Sequence, residues 1–173
     1  TRSGERPLHA LRERGVEYVE VRLMDLDPFE SVGINANTMR VLDVFLLHCL
    51  YSDSPPDTPE EITQLKNNQH LTAERGREPG LQLVKNGQNV SLVEWGQQVL
   101  EECLPIAAAL DAAEGSDAHA KALQAAIKLF QSPDSTPSAH VLRELTAQYD
   151  NNFIAFTSAH SQAARDELMN RPW

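Results

Sequence analysis

A short stretch near the start of the chain, EYVEVR, constrains the fold more than any other part of the sequence. It alternates in the manner of a β-strand, so Tyr18, Glu20 and Arg22 project to one face and the residues between them to the other. A lone strand leaves its backbone N–H and C=O groups unpaired, so it must pair with another strand. Two strand partners are possible. One is a hairpin later in the chain, and the other, the better candidate, is a sheet formed by residues that should precede Thr1.

The rest of the sequence has mostly helical periodicity, interrupted by one hairpin signal at Asn86-Gly87. Helices are expected from about Asn37, from a capping box at Thr58 to about Arg75, from Ser91 to about Glu114, over HAKALQAAIKLFQ, from Pro137, and over the last stretch to about Met169. The expected fold class is therefore α+β and mostly α, with one strand, one hairpin and five or six helices.

The composition argues against two classes of partner. A formal net charge of −10 disfavours binding to nucleic acid or to an anionic membrane surface, because both reward clustered lysine and arginine. The sequence has no run of about 18 apolar residues, so no transmembrane helix is expected. Cys49 and Cys103 lie in apolar helical contexts without metal-binding spacing, which predicts buried free thiols in a reducing cytoplasm.

Glu20 and Arg22 are the strongest candidates for chemistry. On a strand, side chains two residues apart emerge on the same face, about 6–7 Å from each other along the chain. The two groups can pair with each other on a solvated face. Alternatively, the carboxylate holds Mg²⁺ while the guanidinium grips a phosphate, since Mg²⁺ takes carboxylate and phosphate oxygens. Tyr18 either joins that site or covers the edge of the sheet. Spacing alone leaves both interpretations open.

Other motifs carry weaker signals. Asp25 and Asp27, followed by Pro28, suit either a metal pair or a turn in which aspartate side chains cap backbone N–H groups, and the turn is the commoner use of this pattern. The six histidines are scattered without a metal-binding spacing, and ERGREPG lacks the spacing of a phosphate-binding loop. We interpret that stretch, with Arg75 and Arg77, as a solvated turn.

Five segments together resemble the C-terminal part of proteobacterial glutamate–cysteine ligase. They are TRSGE, RGVEYVEVR, DLDPF followed by NTMRVLDVFLLHCL, GREPGL, and SAHVLRELT. The resemblance runs in order over essentially the whole chain and is strongest from Thr1 to Leu50. Beyond about Leu92 it depends on the helix pattern and on the last of these segments.

The resemblance implies an ATP-dependent ligase that uses Mg²⁺ or Mn²⁺ and carries out the first step of glutathione synthesis. Such enzymes phosphorylate the γ-carboxylate of glutamate, and the amino group of cysteine then attacks the acyl phosphate. Their fold is related to glutamine synthetase, with a catalytic antiparallel sheet decorated by helices. In the matching E-x-R motif, Glu20 corresponds to a metal ligand and Arg22 to the catalytic contact with the transferring phosphate. Tyr18 and Arg2 are candidate substrate or nucleotide contacts.

The sequence differs from the family pattern at one position of a motif, and the chain is much shorter than a complete ligase. The family commonly reads D-x-N-P-F, where this chain has Asp27 in place of the asparagine. The chain corresponds to about the last third of such a ligase and opens without an initiator Met, so we expect a processed chain, a fragment or an excised segment. Residues 1–30 would form the active-site loop and strand, and residues 31–173 a helical buttress with a hairpin near 81–92, all within one catalytic domain.

On this interpretation the chain needs the N-terminal segment of the ligase as its partner and is inactive alone. Glutamate, cysteine and ATP would bind only in the complete enzyme. The alternative is a non-catalytic helical module that serves binding or regulation, for which the polar face of Tyr18, Glu20 and Arg22 would have no use.

Overall fold

Most of the chain folds into helices that begin at residues able to cap them. The structure is a computed structural model that describes residues 4–22 and 24–172. The side chain of Thr58 accepts a hydrogen bond from the backbone N–H of Glu61 at 3.1 Å, and Ser91 accepts one from Glu94 at 3.3 Å. Both caps are as predicted, and each satisfies an N–H group that has no partner inside its helix.

The described residues contain eight α-helices, two strands and one 3₁₀ turn. In chain order they are α1 (Pro7–Arg14), α2 (Ala36–Tyr51), α3 (Pro59–Arg75), β1 (Gln82–Lys85), β2 (Gln88–Ser91), α4 (Leu92–Glu102), α5 (Leu104–Glu114), α6 (Ala118–Gln131), the 3₁₀ turn (Pro133–Ser135), α7 (Pro137–Tyr149) and α8 (Phe153–Met169). The mostly helical α+β class is as predicted. None of the described helices is long and apolar enough to cross a bilayer.

Two helix boundaries differ from the prediction. Helix α2 is capped by Asn35, whose side chain accepts the N–H of Thr38 at 2.8 Å, and not by Asn37. The predicted long helix from Ser91 to about Glu114 is two helices that meet at Cys103. Pro105 explains this break, because proline has no N–H and its ring disfavours a helix interior but fits the first turn of a new helix.

The hairpin forms where Asn86-Gly87 predicts it. Asn86 and Gly87 have φ angles of 53° and 75°, as a two-residue type I′ turn requires. Strands β1 and β2 pair antiparallel, with Val84 opposite Asn89. Asn68 of α3 then binds the backbone of Val84 twice: its amide donates to the carbonyl at 2.7 Å, and its oxygen accepts the N–H at 2.9 Å.

The predicted strand around Tyr18, Glu20 and Arg22 is absent from the described chain. Residues 16–22 have no regular secondary structure, and the described sheet contains only β1 and β2. The hairpin is therefore not the partner of this stretch in the structure, and no other described segment pairs with it. The alternative, a sheet supplied by residues outside this sequence, stays a prediction.

Helix α6 lies at the centre of the hydrophobic core. Its Leu123 is fully buried among side chains from α2, α4 and α5, with Val44 and Ala107 also fully buried. Cys103 is buried in the same cluster, but Cys49 is exposed, so the prediction of two buried thiols is wrong for Cys49.

The contact between α4 and α6 depends on a residue without a side chain. A Cβ atom built on Gly96 would lie 2.3 Å from the ring of Phe130, which packs against the core cluster. Glycine lowers helix propensity, so its presence here is explained by the close approach of the aromatic ring.

We expect Gly96→Ala to destabilise the chain, although alanine is the better helix former. Overpacking costs about 1–3 kcal/mol, whereas the propensity gain is at most about 1 kcal/mol. The expected net loss is about 1–2 kcal/mol in the free energy of unfolding, measured by urea titration with circular dichroism. Glu101→Ala, an exposed change on the same helix, should stay within about 0.5 kcal/mol of the parent. Equal midpoints for Gly96→Ala and the parent would contradict the steric explanation.

Candidate functional site

Three of the four candidate residues, Tyr18, Glu20 and Arg22, lie on an exposed arm, which we define as residues 16–22 and 24–26. Val16, Tyr18 and Leu26 are 70%, 72% and 80% exposed. Among the described residues, no backbone hydrogen bond joins the arm to the rest of the chain. An alternating, β-branched segment with unpaired backbone groups and exposed apolar side chains is suited to pairing with a strand from elsewhere.

Glu20 and Arg22 pair with each other in this structure. The Nε of Arg22 donates to Oε2 of Glu20 at 2.7 Å, and one terminal nitrogen of the guanidinium contacts the same oxygen. The side chain of Glu20 is 46% exposed and that of Arg22 is 79% exposed. An exposed pair of this kind is worth about 0–1 kcal/mol, so little free energy is needed to separate the two groups.

The other two candidates have no role visible in the geometry. Tyr18 is exposed, and its hydroxyl makes no hydrogen bond to another described residue. Arg2 lies outside the described residues. The arm therefore brings together Glu20 and Arg22 alone among the predicted site residues.

The described residues include no cluster of three or more histidine, cysteine, aspartate or glutamate side chains that could hold a metal ion. Glu20 contributes a single carboxylate. Mg²⁺ in phosphate-transfer sites is commonly held by one or two carboxylates together with phosphate oxygens and water. Glu20 thus fits as one ligand of such an ion, provided that phosphate oxygens and groups outside this sequence supply the others.

A closed turn follows the arm directly, and we refer to residues 27–33 as the Asp27 turn. The carboxylate of Asp27 accepts the N–H of Phe29 at 3.0 Å, which confirms the capping-turn interpretation of this aspartate. The N–H of Asp27 donates to the carbonyl of Gly33 at 2.9 Å and closes the loop. Gly33 has a φ of 75° and lies against Leu26, so a side chain there would be strained and crowded.

Phe29 attaches this turn to α7 and α8. Its ring stacks on His140 with the ring centres 3.8 Å apart, and it meets His160 edge-on at 5.2 Å. The Nε2 of His160 lies 2.9 Å from Oε1 of Glu144, and the Nε2 of His140 lies 3.9 Å from the other oxygen of the same carboxylate. The sequence shows these histidines as scattered, because their spacing of 20 residues reveals nothing until the helices pack.

A second contact holds the same turn near the end of α8. The hydroxyl of Ser31 donates to Glu167 at 3.0 Å and accepts from Arg171 at 2.8 Å. Arg171 also binds Glu167 at 2.5 Å. Hydrogen bonds from Arg171 and then from Ser31 lower the pKa of Glu167.

A Ser–Asp–His cluster in the interior was missed by sequence reasoning. Asp111 of α5 accepts hydrogen bonds from the backbone N–H of His119 and Ala120, each at 2.9 Å, from Nδ1 of His119 at 2.9 Å and from the hydroxyl of Ser116 at 3.0 Å. Ser116 donates to the carboxylate and not to the imidazole, so the histidine does not activate it. The cluster caps the start of α6 and is structural.

The pKa of Asp111 lies well below its ordinary value. Burial by itself raises it, but the donors of Ala120, His119 and Ser116 together stabilise the charged form and outweigh burial. In the sequence, the only sign of this cap is an aspartate shortly before the predicted start of a helix. Asp117 fits that description as well as Asp111 does. Only the packing of α5 against α6 distinguishes the two.

An ion pair between Arg75 and Glu78 spans the turn ERGREPG, which is compatible with the prediction of a solvated turn. Arg75 binds Glu78 through Nε at 2.6 Å and through a terminal nitrogen at 2.5 Å. The hydrogen bond to Glu78 raises the pKa of Arg75. Both side chains are about half exposed, so the pair adds little to stability.

The sequence of this chain is similar to those of glutamate–cysteine ligases. The family model described as glutamate-cysteine ligase matches residues 1–72. Glutamate–cysteine ligase of Pseudomonas fluorescens strain Pf-5 is 43% identical over 163 residues, which is 94% of this chain and 30% of the relative. That of Bordetella petrii is 43% identical over 165 residues, covering 93% of this chain and 31% of the relative.

A solved structure agrees with the sequence relatives. Glutamate–cysteine ligase of Francisella tularensis, in complex with AMP, superposes with a TM-score of 0.85 at 29% identity over 99% of this chain. The match covers 33% of that protein. The chain thus spans about a third of the length of the proteins it matches, and the resemblance found in its motifs is confirmed.

Asp111→Asn is expected to make stability both lower and less sensitive to acid. The pKa of Asp111 is lowered on folding, so its stabilisation is present above the unfolded value of about 3.9 and is lost as pH falls through the folded value. We expect a Tm lower by about 5 °C at pH 7 and a smaller decline between pH 5 and pH 3 than in the parent.

Thermal unfolding at pH 7, 5, 4 and 3 provides the measurement. Asp43→Asn, an exposed change on α2, is the control and should follow the parent curve. Parallel pH curves for Asp111→Asn and the parent would show that the carboxylate does not act as the charged cap.

Proposed function

We propose that this chain, which is related to glutamate–cysteine ligases in sequence and in fold, works as part of such an enzyme. The reaction would join the γ-carboxylate of L-glutamate to the amino group of L-cysteine at the expense of ATP, as the first step of glutathione synthesis. The observation that carries this proposal is the agreement of 99% of the chain with a glutamate–cysteine ligase fold. Sequence identity above 40% to further members supports it.

The proposed chemistry has two steps. The γ-carboxylate of glutamate first takes the terminal phosphoryl group of ATP and releases ADP, giving γ-glutamyl phosphate. The cysteine amine then attacks the carbonyl carbon, the amide bond forms, and phosphate leaves with the bonding electrons while the amine loses a proton. The AMP bound to the Francisella tularensis relative supports a nucleotide site in enzymes of this kind.

Arg22 would hold oxygens of the transferring phosphoryl group. Its planar guanidinium can donate two parallel hydrogen bonds to such oxygens, and the negative charge there grows in the transition state. Glu20 would serve as a ligand of Mg²⁺ or Mn²⁺, which when bound neutralises charge on the phosphates. The exposed pair between these two residues supports this role, since it can open to admit a phosphate at small cost.

The arm would become a strand only in the complete ligase. Its alternating side chains and unpaired backbone suit addition to an antiparallel sheet made by the N-terminal segment, with Tyr18, Glu20 and Arg22 then on one face. Residues 1–30 would supply the active-site loop and strand, and residues 31–173 the helical buttress. A fold related to glutamine synthetase accords with this arrangement.

The segment is expected to be inactive without its partner. One carboxylate and one guanidinium cannot bind two amino acids, a nucleotide and the metal ions, so turnover needs the rest of the ligase. We place the enzyme in the cytoplasm, where ATP is abundant and where the two free cysteines stay reduced.

Glu20→Gln in the complete ligase should lower turnover by about 100-fold or more, because the amide removes the charge that holds the metal. The measurement is ADP release that depends on both glutamate and cysteine, at several Mg²⁺ concentrations, with thermal unfolding as the check on folding. Glu17→Gln makes the same change on the other side of the arm and should leave turnover within about twofold. Normal turnover of Glu20→Gln at ordinary Mg²⁺ would rule out the metal-ligand role.

Arg22→Lys should also be costly, with a loss of at least about tenfold in kcat, because a point charge does not replace a planar fork. The same assay tests it, and Arg12→Lys, an exposed change on α1, is the matched control. If lysine supports full turnover at position 22, then Arg22 does not grip the phosphate in the proposed way.

A further inference from the structure

The Asp27 turn is tied closely to the candidate site by the chain itself. Asp27 lies five residues after Arg22. A chain of five residues spans at most about 17 Å, so wherever the turn is fixed, the guanidinium and the neighbouring carboxylate of Glu20 can reach only a limited volume. The place where the turn is held therefore limits where both groups can lie.

The turn is held by side chains from two helices at once. Phe29 stacks on His140 of α7 and meets His160 of α8 edge-on, with ring centres 3.8 and 5.2 Å apart. Glu144, whose side chain is only 13% exposed, lies between the two imidazoles and binds Nε2 of His160 at 2.9 Å. These four residues, which we call the Phe29 anchor, form one packed unit that fixes the ring in position and orientation.

A second attachment prevents rotation about the first. Ser31 binds Glu167 and Arg171 near the end of α8, about two helical turns from His160. The two attachments lie at different places along α8, so together they restrict the turn more than either one does alone. Helix α8 itself packs mainly against α7, and its fully buried large side chain, Phe156, packs beside the anchor with its ring 4.4 Å from that of His160.

We infer that the Phe29 anchor, together with Ser31, positions Glu20 and Arg22 for catalysis, so that helices α7 and α8 act on the reaction without touching any substrate. This inference rests on the proposed function. Phe29, His140, Glu144 and His160 are positioning residues in this scheme. Displacement of a catalytic group by about 1 Å can cost up to about 100-fold in rate, so loss of the anchor lowers kcat without removing any substrate contact.

The test uses Phe29→Ala in the complete ligase. We expect kcat to fall by about tenfold or more, with KM for glutamate, cysteine and ATP within about twofold, because transition-state geometry is lost while binding is kept. Hydrogen–deuterium exchange, measured by mass spectrometry on peptides from residues 24–33, should become faster as the turn loosens. Ser31→Ala, a mild surface change that does not threaten folding, should shift both readouts in the same direction by a smaller amount.

Two control variants separate positioning from general destabilisation. Phe153→Ala removes a phenyl ring from the same helix pair, where Phe153 is exposed and stacks on Phe156. Gly96→Ala weakens the core at the contact of α4 with α6, which includes no residue of the turn or of the Phe29 anchor. Both should keep kcat within about twofold of the parent and leave exchange in residues 24–33 unchanged.

Each other result overturns the inference. Unchanged exchange in both Phe29→Ala and Ser31→Ala would show that the anchor does not hold the turn. Faster exchange with unchanged kcat would show that the turn does not position the site, and an equal loss of kcat in Phe153→Ala would show a general effect. If the parent enzyme shows no turnover dependent on glutamate and cysteine, the proposed function fails, and the exchange experiment still decides whether the anchor exists.

Discussion

Burial of Leu123 and its neighbours on α6 is the constraint on which the rest of the structure depends. Helices α2, α4 and α5 all place apolar side chains against α6, and the close contact of Gly96 with Phe130 sets how near α4 can come. The charged cap from Asp111 fixes where α6 begins, so the core and the capping network determine each other. The exposed arm and the α7–α8 pair, which holds the turn next to the arm, lie outside this core cluster.

The caps at Thr58 and Ser91 and the hairpin turn were predictable from the sequence, whereas contacts between residues far apart in the sequence were not. The caps at Thr58 and Ser91 and the turn at Asn86-Gly87 follow from hydrogen bonds within a few residues, so the sequence alone predicts them. The break at Cys103 had a visible signal in Pro105, which sits where a new helix tolerates it. The predicted strand at the arm is not formed because a strand requires a paired neighbour, and no described segment pairs with residues 16–22. The anchor on Phe29 joins residues more than 100 positions apart, and no periodicity reveals such a contact.

The two interpretations of Glu20 and Arg22 are compatible with each other, because the pair seen in the structure would separate in the proposed role. Two opposite charges on neighbouring positions neutralise each other when nothing else is bound, and their exposure keeps this pair weak. In the proposed role a phosphate would replace Glu20 as the negatively charged partner of Arg22, and a metal ion would replace Arg22 as the positively charged partner of Glu20. In the described structure the two opposite charges balance each other on the exposed arm.

Asn68 affects which strands can pair with the hairpin. By bonding to both backbone groups of Val84, its amide takes the place of one residue of a third strand at the outer edge of the hairpin. An open strand edge invites any extended peptide, including the arm of another copy of the chain, and so leads towards aggregation. With this edge obstructed, the hairpin is a poor template for the arm. The unpaired backbone of the arm would then remain available for the proposed sheet of the complete ligase.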